Sequence, residues 1–139
     1  MNVTAAMLAD AAVVQGGKLY IHGGGWDSIW VETLPATHPT MALAWILRIE
    51  YSEALEEIAL VVEMLDEDDT TSGPRLDVGL TAGHPPGSRR GAPIFVPLQW
   101  TLTQVELSRT GGYRFRICEG DRELASVPFH VLQKRQAAS

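Results

Sequence analysis

The chain has 139 residues, 45% of them apolar and 20% charged, with 17 acidic against 11 basic side chains for a net charge of −6. That length and apolar fraction suit one compact domain burying about two-thirds of its unfolded surface, and they exclude a disordered chain. The acidic balance argues against nucleic acid or anionic membrane as partner, and the single cysteine, Cys118, closes no intrachain disulfide, which points to a reducing, cytoplasmic compartment.

From the N-terminus, the apolar stretch Val3–Val14 lacks a basic flank, contains Asp10 and is too short to span a bilayer, so neither secretion nor membrane insertion is expected. Its alanines suit a helix by propensity. However, Gln15-Gly16-Gly17-Lys18 reads as a hairpin turn after which Leu19 and Ile21 resume, so two antiparallel strands are expected instead. The run His22-Gly23-Gly24-Gly25-Trp26 has neither the Gly-Lys-Ser/Thr ending nor the following helix of a phosphate loop, and it predicts a bulge or tight bend.

Beyond it, Leu43, Trp45, Leu47 and Ile49 share one strand face, opposed by Ala44, Arg48 and Glu50. Residues 51–57 have room for one helical turn with Ser52 as its cap. Ile58, Leu60, Val62 and Met64 form the next stripe, and Leu76, Val78, Leu80 and Ala82 the one after. Residues 83–93, dense in Gly and Pro, cannot sustain a ladder and read as a crossing between sheets. Ile94, Val96, Leu98, Trp100 and Leu102 align on one face, while Pro97 on the other calls for solvent or a sheet edge. A final hairpin runs out through Tyr113, Phe115 and Ile117, turns at Glu119-Gly120-Asp121, and returns through Ala125, Val127, Phe129 and Val131.

Eight or nine short strands without a βαβ rhythm predict an all-β fold: a two-layer antiparallel β-sandwich, Ig-like with Greek-key connections and at most one short helical turn. One domain covers residues 1–132, followed by a polar tail, 133–139. Tyr113, entering the penultimate strand after Gly111-Gly112, stands where a tyrosine corner would bond its hydroxyl back to the preceding loop.

Chemical motifs are scarce. His22, His38, His84 and His130 show no metal-ligand spacing, Cys118 has no histidine at a recognisable nucleophile spacing, and no Gly-x-Ser-x-Gly elbow occurs, so the reading leans away from an enzyme and implies no cofactor. Asp66-Glu67-Asp68-Asp69 lacks the glycine and distal glutamate of an EF-hand loop, although clustered sandwich-loop carboxylates leave a calcium-dependent loop module as one alternative. Residues 50–69 carry nine acidic and no basic side chains. Such a face can attract a basic partner or a second copy through Arg89 and Arg90, or through the outward Arg114 and Arg116; it can equally serve solubility. Trp45 and Trp100, in phase with aliphatic stripes, are expected inside. Trp30 shares parity with Trp26, Ser28 and Glu32, opposite Ile29 and Val31, so two indoles stand on the less buried face of one strand. A protein interface, cover by the chain's own loops, and stacking on a flat ligand all remain open for them. The expected function is a non-catalytic protein-interaction or self-assembly module, a homodimer or higher oligomer among its forms. The other alternative is a small-ligand binder or hydrolase whose site forms only in three dimensions.

Leu8-Ala9-Asp10-Ala11-Ala12, Gly17-Lys18-Leu19, Gly24-Gly25-Trp26-Asp27-Ser28-Ile29 and Pro35-Ala36-Thr37-His38-Pro39, with Gly112-Tyr113-Arg114-Phe115 and Pro128-Phe129-His130-Val131 near the end, resemble a widespread family of small bacterial proteins that form a domain of unknown function. The resemblance spans nearly the whole chain. It implies a compact β-sandwich, and it transfers no activity, cofactor or catalytic residue.

Overall fold

The computed structural model describes residues 1–134. Nine strands follow in order: β1 (Asn2–Gln15), β2 (Lys18–Gly24), β3 (Ser28–Val31), β4 (Ala36–Ile49), β5 (Glu57–Asp66), β6 (Thr71–Thr81), β7 (Ile94–Leu107), β8 (Gly111–Glu119) and β9 (Arg122–Gln133), with one 3-10 turn, Tyr51–Glu53, after β4. They form a four-stranded sheet, β2-β1-β4-β7, and a five-stranded sheet, β3-β9-β8-β5-β6. β1–β2, β5–β6 and β8–β9 are hairpins within a sheet; every other connection carries the chain from one layer to the other. The all-β, two-layer expectation holds, and the Gly/Pro-rich stretch 83–93 is one of the crossings.

The alanine-rich start is strand rather than helix because it is paired on both sides, to β4 from Asn2 to Ala9 and to β2 from Ala9 to Gln15. Its hairpin closes at Gln15 opposite Lys18 through Gly16 (φ +58) and Gly17 (φ +72). Two consecutive left-handed residues are the geometry that matches strand twist in a two-residue turn. One pairing departs from the antiparallel expectation. β3 runs parallel to β9, Ser28 beside His130 through to Val31 beside Gln133, because β3 is delivered by a crossing from the other layer and no hairpin dictates its direction.

The interlayer is filled by Leu8, Met41, Leu43 and Trp45 from one sheet and Val62, Met64, Phe115 and Phe129 from the other. A second cluster, Leu47, Ile49, Ile58, Leu60 and Ile94, closes the end near the 3-10 turn. Tyr113, Phe129 and Phe115 stack in succession, with ring centroids 5.4 and 5.7 Å apart. Each such aromatic removes about 150–250 Å² from water, roughly 4–6 kcal/mol as an upper value.

Three local expectations are corrected. Trp100 is half-buried, not interior: β7 is an edge strand, so no neighbour covers its outer side, although the indole meets Phe115 edge-on at 6.1 Å. Ser52 does not cap the 3-10 turn. Glu50 is the cap, its own backbone N–H donating to the Glu53 carboxylate at 3.1 Å in a reciprocal capping box. Gln133 belongs to β9 rather than to a polar tail; of the tail 133–139, residues 135–139 lie outside the described residues.

An unforeseen bend lies in β4 and β7. Their register is constant from Ile49 beside Ile94 to Ala36 beside Leu107, yet the inward parity changes in both. Met41 and Leu102 face the core, whereas beyond them it is Ala36 and His38, with Val105 and Leu107, that turn inward. Gln104, at φ +53, sits at the switch, across from Pro39. Both faces flip there without a slip in the pairing register.

Candidate functional site

At Ala9, β1 is still paired to Ala42 of β4; from Ala11 to His22 the β1–β2 hairpin has no third strand. This is a two-stranded ribbon, with Ala12, Leu19 and Ile21 half-buried on one of its faces. Register places Val13 opposite Tyr20 on one face, with Ala11 opposite His22, and Val14 opposite Leu19 on the other, with Ala12 opposite Ile21. The Ala12, Val14, Leu19 and Ile21 face is therefore apolar, while the other joins Val13 and Tyr20, each 48% exposed, to the polar Gln15, Lys18 and His22. A ribbon of this kind is marginal on its own in water.

The four sheet edges differ in how they are guarded. β7 carries Pro97, β6 carries Pro74, and β3 is only four residues long. These are known protections against strand addition. β2 has no proline, and its one charge, Lys18, is its first residue. The ribbon was not foreseen from the sequence. The Gly16-Gly17 turn does set Val13 against Tyr20, but the point at which β4 parts from β1 has no local signal.

At the root of the ribbon a shallow depression of about 200 Å³ is lined by Asp10, Trp26, Ser28, Ile29, Trp30 and His38. Trp26 and Trp30 reach it together because residues 26, 28 and 30 share a side of the extended chain. The two indoles are not equivalent, however. Trp30 is 59% exposed, whereas Trp26 is half-buried against the main core, tilted at 6.2 Å from the His38 ring, with its indole Nε1 buried and unpartnered. The expected exposed pair is thus one exposed indole and one covered by its own chain. Asp10 fits closely over Gly23, where a Cβ would run into the carboxylate. Asp10 and His38 join the tryptophans only through the strand pairing, which no spacing in the sequence announces.

The arginines divide. Arg114 bonds Asp69 at 3.1 Å and Glu123 at 2.6 Å, and its guanidinium is held above its ordinary value chiefly by Glu123, against the opposing effect of burial. Arg116 pairs with the buried Glu63 carboxylate, which raises its value in the same sense. Arg109 bonds Asp66 at 3.0 Å. Arg114 and Arg116 are therefore committed to the chain's own carboxylates and are not a basic patch open to a partner. Arg89 and Arg90 lie exposed in the 83–93 crossing, without an ion-pair partner among the described residues.

The acidic turn is similarly occupied. Asp66 Oδ1 accepts from the backbone N–H groups of Asp68 and Thr70 at 2.9 and 3.0 Å, and Glu67 accepts from that of Gly112 at 2.6 Å. Among the described residues, no three His, Cys, Asp or Glu side chains gather as a metal site would require. Burial pushes the Cys118 thiol up, away from the thiolate that a nucleophile needs. A larger groove of about 400 Å³ runs between the edge strands along Ser72–Pro74 and Trp100–Glu106. No helix among the described residues is long and apolar enough to cross a membrane.

A family model described as a family of unknown function matches residues 4–132. No curated protein matches. Among solved structures, a Pseudomonas fluorescens alkylpurine DNA glycosylase, AlkC, bound to DNA containing an abasic site analogue, is similar at 10% identity with a TM-score of 0.45. The match takes in 91% of this chain, which spans 30% of that protein's length.

Proposed function

The chain belongs to the family of unknown function DUF6941, and on that premise we propose that it is a non-catalytic interaction module that pairs with a second copy of itself through the outer edge of β2. The observation that carries this reading is the ribbon Ala11–His22, apolar on the face of Val14, Leu19 and Ile21, exposing Val13 and Tyr20 on the other, and bounded by a seven-residue edge strand without a guarding proline. Antiparallel addition of β2 to β2 is self-complementary about a twofold axis, so one strand supplies both halves of a closed interface. Centred on Tyr20, that pairing sets Leu19 of one copy beside Ile21 of the other, extending the apolar face of the ribbon, and brings the two Tyr20 side chains together on the opposite face. A few ladder hydrogen bonds at about 1 kcal/mol each, together with buried valine, leucine and tyrosine surface, must offset an association cost of several kcal/mol. The dimer is accordingly of roughly micromolar affinity, about −8 kcal/mol. The lone thiol Cys118 supports a reducing, cytoplasmic setting for it.

Sedimentation velocity across the micromolar range tests this. The expected result is a concentration-dependent dimer that Tyr20→Lys converts to monomer and Trp30→Ala leaves intact. A monomer at every concentration overturns the reading, as does a dimer lost in Trp30→Ala but kept in Tyr20→Lys.

A further inference from the structure

We propose that the depression at the root of the ribbon is a binding site for an alkylated ammonium group, with Trp26 and Trp30 supplying the aromatic walls and Asp10 the countercharge. This inference does not depend on self-association, since the depression is complete within one chain.

Two indoles line one small concavity, and one of them, Trp30, keeps 59% of its surface in water. Indole faces attract cations through the ring quadrupole, more strongly when the site is partly desolvated. Asp10 brings a full negative charge to the same wall and has no ion-pair partner among the described residues. Asp27 and Glu32 flank the β3 segment that carries Trp30, and no lysine or arginine occurs from Leu19 to Leu47. The local field, like the net charge of −6, favours a cation.

The remaining polar groups argue for alkylation of that cation. A primary ammonium presents three N–H donors and surrenders tight hydration, so it needs several acceptors. Here the acceptors are side chains alone: the Asp10 carboxylate, the His38 imidazole and the Ser28 hydroxyl oxygen, whose proton is given to Asp27 Oδ1 at 3.0 Å. A quaternary or highly methylated ammonium requires no hydrogen-bond acceptors; its methyl groups lie against the indoles while its charge is met by Asp10. Donors are fewer still, since Asp10 only accepts and the Ser28 proton is already given to Asp27, which disfavours a sugar, whose several hydroxyls need both donors and acceptors. At about 200 Å³ the depression is below the roughly 300–1,000 Å³ of sites that enclose drug-sized ligands, and it suits a head group. Trp30 is also shared with an adjoining groove along Thr33, Pro35, Thr37 and Pro39, which gives the rest of a longer ligand a path. The head group can thus belong to a free small molecule or to a methylated lysine on a peptide.

Calorimetric titration of the full chain with choline, with an Nε-trimethyllysine peptide and with 3,3-dimethylbutan-1-ol, the uncharged carbon isostere of choline, provides the test. Saturable binding is expected for at least one cation, about tenfold or more weaker for the neutral alcohol. Asp10→Asn and Trp30→Ala, both surface changes, each reduce that affinity by about tenfold. Tighter binding of choline than of the peptide identifies a free small molecule as the source, and the reverse identifies a modified protein. The proposal is overturned if neither cation binds, if the alcohol binds as well as choline, or if Asp10→Asn binds unchanged. A monomeric protein that still binds choline removes only the reading of β2 as a dimer edge.

Discussion

The phenolic hydroxyl of Tyr113 donates to the backbone carbonyl of Arg109 at 3.0 Å, while its ring lies stacked on Phe129. The bond spans the β7–β8 connection and fixes the angle at which the chain passes from one layer to the other, as a tyrosine corner does. Removing only the hydroxyl, in Tyr113→Phe, keeps the stack and loses the bond. The expected cost is about 1 kcal/mol, read as a lower urea midpoint with an unchanged m-value. Tyr113→Ala, which also empties the ring site, costs about 3–5 kcal/mol. An unchanged midpoint in Tyr113→Phe would show that the hydroxyl contributes nothing of its own.

Glu63 on β5 is 9% exposed and faces Arg116 on the neighbouring β8, whose Nε is itself buried without a partner. Coulomb attraction here is set against the desolvation of both groups, so the pair as a whole contributes little net stability, whereas either member left alone is strongly unfavourable. Arg116→Met is expected to destabilise by about 2–3 kcal/mol because it strands the Glu63 carboxylate. The double variant Glu63→Leu/Arg116→Met is expected to recover most of that loss, and denaturation of all four cycle members measures the coupling. A double variant as unstable as the sum of the singles would mean that the two side chains act independently.

Trp45 is fully buried in the interlayer, and its indole N–H finds no acceptor. The ring contributes packing while the N–H carries a desolvation penalty that nothing repays, two effects that substitution separates. Trp45→Phe discards the unpaired donor and leaves a small void, for an expected loss of about 1–2 kcal/mol; Trp45→Ala leaves a large cavity and costs about 3–5 kcal/mol or more. Thermal melts rank the two. A phenylalanine variant as damaged as the alanine one would point to a water-mediated partner for the N–H.

What the sequence made legible was everything governed by period-two alternation and by turn chemistry. Leu43 to Ile49, Ile58 to Met64 and Tyr113 to Ile117 are buried on the faces their parity assigned, and Gly16-Gly17 closed the hairpin it implied. Trp100 faces the side its parity assigned and meets Phe115, yet stays half-buried, because parity states which side a residue faces, not how fully its neighbours cover it. The parallel pairing of β3, the parity switch at Gln104 and the departure of the ribbon from β4 are decided by contacts far apart in the chain, with no residue type that marks them. Asp10 and His38 illustrate the same limit at the site: each is an isolated polar residue until folding sets both beside Trp26 and Trp30. Arg114 and Arg116 were legible as outward-facing, but their partners Asp69, Glu123 and Glu63 were not.

The first residue is tied to the 3-10 turn after β4. The Met1 ammonium contacts Glu53 Oε1 at 2.6 Å, and the Met1 carbonyl accepts from Arg122 at 2.8 Å. Glu53 is held below its ordinary value of 4.5, first by the hydrogen bond from the Met1 ammonium, with the Glu50 backbone N–H and Arg122 adding to it and burial opposing. A carboxylate whose folded-state value lies below its unfolded one binds fewer protons when folded, so its contribution to stability is complete above the unfolded value. As pH falls through 4.5 and on through the lower folded-state value, the unfolded chain takes up the proton first, and the contribution disappears. Glu53→Gln removes this titration and one partner of the Met1 ammonium together. The variant is therefore expected to be less stable than the parent near neutrality and to converge with it in acid, the gap closing only below the ordinary glutamate range. Denaturant midpoints of both proteins measured down the acid limb check this. A gap that stays constant with pH would place the loss in the capping box geometry alone, and a gap that widens in acid would reverse the assigned sign.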